Sequence, residues 1–136
     1  MEQPKQRILI VDEDQLLGEF YSCLLSLQGY VPVWASSGDQ AKRILKQQNG
    51  FSLAVVDLLP PTEEYWSLIR HLRQTPATAE MPIMTITGIS LSYEELEKIK
   101  QCCNAVLLKG SFELAKFKDT VTQLSQCHCH ASASHA

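Results

Sequence analysis

The chain has 136 residues, 45% hydrophobic and 20% charged, with a formal net charge of −3. This is the balance of one soluble globular domain, and it excludes disordered and fibrous classes. Lys42, Arg43, Lys46, Arg70, Arg73, Lys98 and Lys100 are interleaved with acids, so the basic residues read as solvated helix faces that would not draw nucleic acid or an anionic membrane.

The opening "MEQPKQR" is polar and leads into four apolar residues, too short a run for a signal peptide or a membrane span. A cytoplasmic location is expected. The five cysteines are odd in number and irregular in spacing, which is no disulfide framework; Cys23, Cys102 and Cys103 read as small core or near-core residues.

In chain order, "RILIV" (7–11) predicts the first strand. Residues 15–28 predict a helix whose Leu16, Phe20, Cys23 and Leu27 form an apolar stripe. "VPVWA" (31–35) carries a proline and predicts an edge strand. The helix over 38–48 packs Ala41, Ile44 and Leu45 behind a capping box of Ser37 and Gln40. "LAVVD" (53–57) is a strand, and the helix over 63–74 carries Trp66, Ile69 and Leu72. "PIMTIT" (82–87) is a strand. The helix over 93–102 opens on a second capping box, Ser92 with Glu95, and packs Leu96 and Ile99 before Asn104 offers a left-handed stop. "AVLLK" (105–109) is the last strand. The helix over 112–126, capped by Ser111, presents Leu114, Phe117, Val121 and Leu124.

Trp34, Tyr65 and Trp66 read as packing aromatics, and His71, between Arg70 and Arg73, as a solvated helix residue. Cys127, His128, Cys129 and His130 are spaced more tightly than usual zinc ligands, so 127–136 is expected to be a flexible tail after one domain over 7–126.

Alternating strands and helices predict an α/β fold with a parallel sheet covered on both faces. Right-handed crossovers lead to a flavodoxin-like three-layer sandwich, five strands in the order 2-1-3-4-5 with five helices. In such a sheet, ligands bind beyond the carboxyl ends of the strands, at the switch point between strands 1 and 3. Four strands carry polar groups to that rim: Asp12, Glu13 and Asp14 after strand 1, Asp57 after strand 3, Thr87 and Gly88 after strand 4, and Lys109 after strand 5.

Asp12, Glu13 and Asp57 cannot all ionise at close range unaided. Mg²⁺, a hard cation content with few carboxylates, would resolve the conflict. Thr87, the Gly88 amide and Lys109 suit the oxygens of a phosphoryl group, with Asp57 as nucleophile. Acids after strands also cap helices, and that blander explanation applies to each residue singly.

These residues, in this order, resemble a receiver domain of the bacterial two-component response regulators. The resemblance runs over residues 7 to 125 and rests on "ILIVDED", "LAVVDLLPP", "PIMTITG" and "LLKG". It implies Mg²⁺-dependent phosphotransfer from the phosphohistidine of a sensor histidine kinase, or exchange with a histidine phosphotransferase, at Asp57. It adds the backbone carbonyl of Leu59 to the metal ligands Asp12, Glu13 and Asp57. The chain would be a stand-alone signalling phosphoacceptor rather than an enzyme, acting on a separate downstream protein; its fourth and fifth helices could also form a homodimer.

Four positions depart from the family pattern: Glu13 for an aspartate, Tyr65 for a glycine, Gly110 for a proline, and Val106 for the aromatic that normally couples phosphorylation to output. Leu59 and Ile89 cannot orient a hydrolytic water, so a long-lived phosphoryl group is expected. A pseudo-receiver that only binds proteins is the alternative reading. A flavin or nucleotide binder is disfavoured, because acids rather than a glycine-rich loop follow strand 1.

Overall fold

The computed structural model describes residues 5–58, 62–88 and 91–134, with backbone only at 111 and 127–134. Leu59 and Ile89 lie outside the described residues. The elements alternate: β1 (Arg7–Asp12), α1 (Gln15–Leu27), β2 (Val31–Ala35), α2 (Gly38–Gln47), β3 (Phe51–Asp57), α3 (Glu63–Gln74), β4 (Ile83–Thr87), α4 (Tyr93–Cys102), β5 (Ala105–Leu108) and α5 (Leu114–Ser134). All pairings are parallel, in the order β2-β1-β3-β4-β5, as the flavodoxin-like expectation requires.

Side chains alternate across the pleat, so each strand feeds two cores. Leu9, Val11, Ala54 and Val56 face α2, α3 and α4, meeting Ala41, Leu68, Leu72 and Ile99. Ile8, Ile10, Leu53 and Val55 face α1 and α5, meeting Leu24, Leu25, Phe117 and Val121. The β1–β3 register sets Asp12 directly beside Asp57.

The face of α1 is the first correction. The helix buries Gly18, Tyr21, Leu24 and Leu25, whereas Leu16 and Leu27 are 77% exposed, Phe20 is 46% exposed and Cys23 is exposed. The segment is apolar on both sides, so both stripes satisfy helical spacing. Gly18 settles the choice, because Trp34 lies over it: a Cβ there would stand 2.4 Å from Trp34 Nε1. That close approach lets the indole donate to the Asp12 carbonyl at 3.0 Å, tying edge strand to site.

Other local expectations also shift. Ser37 caps α2 by accepting from the Gln40 amide, but Gln40 answers Ser36 instead, so only half of the box forms. The Ser92–Glu95 box is complete. No described non-glycine residue has positive φ, so Asn104 is not a left-handed stop. Its side chain accepts from Ile83 N at 2.9 Å and from Arg73 at 3.2 Å. Arg73, expected on a solvated face, also donates to the carbonyls of Ala79, Met81 and Cys102 at 3.0, 2.7 and 3.0 Å.

Lys109 to Ser111 form a 3₁₀ turn after β5, and α5 starts at Leu114, so Ser111 stands outside its N-cap position. The helix then continues to Ser134, past the expected end at 126, since no glycine or proline interrupts it.

Candidate functional site at the carboxyl edge of the sheet

Asp12 and Asp57 end adjacent strands and are 2% and 5% exposed. Desolvating two neighbouring carboxyls is unfavourable, and each is managed differently. Asp57 is engaged at both oxygens: Lys109 Nζ lies 3.0 Å from Oδ1, and the Tyr21 hydroxyl donates to Oδ2 at 3.1 Å. Asp12 Oδ1 accepts from the Asp14 amide at 2.8 Å, but its Oδ2 is buried without a hydrogen-bond partner.

Burial pushes the Asp12 carboxyl up from 3.8 to about 7, and the charge of Asp57 adds to the rise; the Asp14 amide and Lys109 hold it back. A proton shared with Asp57 or an incoming cation would satisfy that oxygen. Burial, with the charge of Asp57 behind it, raises the Tyr21 hydroxyl, which therefore remains a donor.

Asp14 is the N-cap of α1, accepting from the amides of Leu16 and Leu17 at 2.9 and 3.3 Å. Thr87 is buried at the end of β4. Gly88 follows it, and a Cβ there would meet Lys109 Cδ at 3.1 Å; glycine leaves room for the lysine stem to reach Asp57. Glu13 is exposed. Among the described residues no group of three His, Cys, Asp or Glu gathers to hold a metal, so the expected three-acid cluster reduces to the pair Asp12–Asp57.

Two carboxylates with an orphaned buried oxygen still fit a hard cation, because Mg²⁺ needs few protein ligands and retains waters. Tyr21 is the site residue that sequence reasoning missed, since an aromatic at helical spacing reads as core. Its Cβ direction depends on the α1 face that was misassigned.

The structure aligns with a CheY-like receiver domain protein of Methanospirillum hungatei at a TM-score of 0.81 and 19% identity, covering 94% of this chain and 99% of that one. The chain has the fold of a response-regulator receiver domain. A second receiver-fold neighbour is the receiver domain of a Pseudomonas aeruginosa sensor histidine kinase, solved with magnesium coordinated in its active site cleft. It aligns at a TM-score of 0.76 and 22% identity, covering 90% of this chain and 99% of that one.

In sequence, the Pseudomonas aeruginosa transcriptional regulatory protein GltR is 35% identical over 83 residues, 61% of this chain and 34% of GltR. The chain spans between 15% and 35% of the length of the curated relatives it matches. No family model matches. Among the described residues, no helix of this receiver fold is long and apolar enough to cross a membrane.

Proposed function

We propose that the chain is a phosphoryl-accepting switch of a cytoplasmic two-component phosphorelay, with Asp57 as acceptor. The observation that carries this reading is the lysine-paired Asp57 beside the orphaned Asp12 oxygen. The donor is a phosphohistidine on a sensor histidine kinase or a histidine phosphotransferase. The exposed apolar stripe of α1, Leu16, Phe20 and Leu27, starts at the rim of the site and offers that donor a seat. Output passes through contacts with a further protein, so the chain is a signalling acceptor rather than a turnover enzyme.

Asp12 and Asp57 would hold Mg²⁺, with the backbone carbonyl of Leu59 beside them as the resemblance implies, and waters filling the remaining positions. The ion supplies charge neutralisation at the acceptor. Lys109 orients Asp57 and, with Thr87 and the Gly88 amide, meets the phosphoryl oxygens. Leu59 and Ile89 offer no group to position a hydrolytic water, so the phosphoryl group is long-lived, and Leu59→Asn should shorten its lifetime.

The second reading, a phosphorylation-independent binding module, draws on Val106, which packs into the core facing α2–α4 where the family carries a switch aromatic. Trp34, bonded to the Asp12 carbonyl, provides a reporter. In a Trp66→Phe background, Mg²⁺ with beryllofluoride should give a saturable change in Trp34 fluorescence that Asp57→Asn abolishes. A folded native protein with no response would favour the binding module.

A further inference from the structure

The Tyr21 contact joins the acceptor to a different part of the molecule from β5. The residue is 2% exposed, and its hydroxyl is 3.1 Å from Asp57 Oδ2. Its ring stacks on Phe117 of α5, with centroids 5.7 Å apart and planes at 21°. Phe20 and Phe112 lie at 5.7 and 6.4 Å, and Phe112 is itself 5.7 Å from Phe117. One side chain thus spans from the acceptor carboxylate to a four-ring cluster shared by α1, the segment after Lys109, and α5.

We infer that Tyr21 is the positioning residue that couples the state of Asp57 to α5, in place of the β5 aromatic that Val106 replaces; this rests on the reading of Asp57 as phosphoryl acceptor. Phosphotransfer forms an O–P bond at one Asp57 oxygen and breaks the donor's P–N bond; the departing imidazole keeps that electron pair and takes up a proton. The acceptor changes from a carboxylate, whose single negative charge is shared by its two oxygens, to an acyl phosphate whose carbonyl oxygen is uncharged. The hydrogen bond from Tyr21 loses its charged partner, and charged acceptors make the stronger bonds. The acyl oxygen that remains is a weaker acceptor than the anionic phosphoryl oxygens now beside it, so the hydroxyl is drawn toward them, and the ring stacked on Phe117 moves with it. Close packing transmits that shift as a change of arrangement rather than absorbing it.

The test uses the full chain with labelled aromatic rings, treated with Mg²⁺ and acetyl phosphate. Labelling is read by intact mass and ring signals by NMR. The native protein should show shifts of the Tyr21, Phe112 and Phe117 signals on labelling. Tyr21→Phe keeps the ring volume and stacking and, compared with the native protein at equal extent of labelling, should lose the Phe112 and Phe117 shifts. Equal Phe shifts in both proteins, or a labelled native protein whose Tyr21 ring does not move, would overturn the coupling while leaving the acceptor intact. The second outcome needs only native protein, so it does not depend on the variant folding. An unlabelled native protein would remove the acceptor reading and this inference together.

Discussion

Asp12 and Gly18 show how single residues set the site. The Asp12 carboxyl is raised to about 7 by burial, so the folded state holds a proton there that the unfolded chain releases near 3.8. Between those values the native state binds more protons, and stability falls as pH rises through the window, then levels off. At about 1.4 kcal/mol per pKa unit, the loss in metal-free protein reaches up to about 4 kcal/mol. Asp12→Asn should flatten this dependence, which urea unfolding in chelator at about pH 5 and about pH 8 would reveal. An equal slope in the two proteins would refute it. Gly18→Ala drives a Cβ into the Trp34 indole and should cost about 1–3 kcal/mol through overpacking, with a Trp34 emission change as the bond to Asp12 breaks. Asp12, Asp57, Thr87 and Lys109 were legible in the sequence because polar residues ending apolar strands have no packing role there. Tyr21 was hidden, because a buried tyrosine declares its hydroxyl partner only in three dimensions.

At the scale of elements, α1 supplies a paired test of which face is inside. Leu25 is fully buried and Leu27 is 77% exposed. Leu25→Ala should therefore cost about 2–5 kcal/mol, and Leu27→Ala should stay within about 0.5 kcal/mol, both by denaturant midpoint. Comparable losses would restore the stripe expected from spacing. Arg73 fastens the end of α3 to the β4 approach and the α4–β5 junction by donating to the carbonyls of Cys102, Ala79 and Met81. Arg73→Met should cost roughly 2–3 kcal/mol and speed amide exchange at Asn104, whose N–H donates to the Ile83 carbonyl at 2.8 Å. Strands and the Ser92–Glu95 box were readable because they rest on local rules, namely apolar runs, Ser–Glu spacing and the edge proline of β2. The α1 face and the Arg73 clamp were not, because sequence spacing does not say what a long side chain meets across the fold.

For the whole molecule, alternation and crossover handedness restricted the topology, five strands fitted the flavodoxin-like order, and that order sets Asp12 beside Asp57. The topology also explains why the site survives at the edge of such an apolar sheet. Lys109 comes from the turn just after the far strand β5, across Gly88, and Tyr21 comes from the covering helix, so the two oxygens of Asp57 are held from two layers. What the sequence left unread is how the output is made with Val106 on β5, because coupling depends on packed rings from α1 and α5 that lie far apart along the chain. The central claim is that this edge accepts a phosphoryl group at Asp57. Incubation with Mg²⁺ and acetyl phosphate, followed by intact mass, tests it most directly. The native chain should gain the mass of one phosphoryl group, lose that gain when metal is chelated beforehand, and show none as Asp57→Asn. A folded native chain that stays unmodified, or an Asp57→Asn variant modified to the same extent, would contradict it.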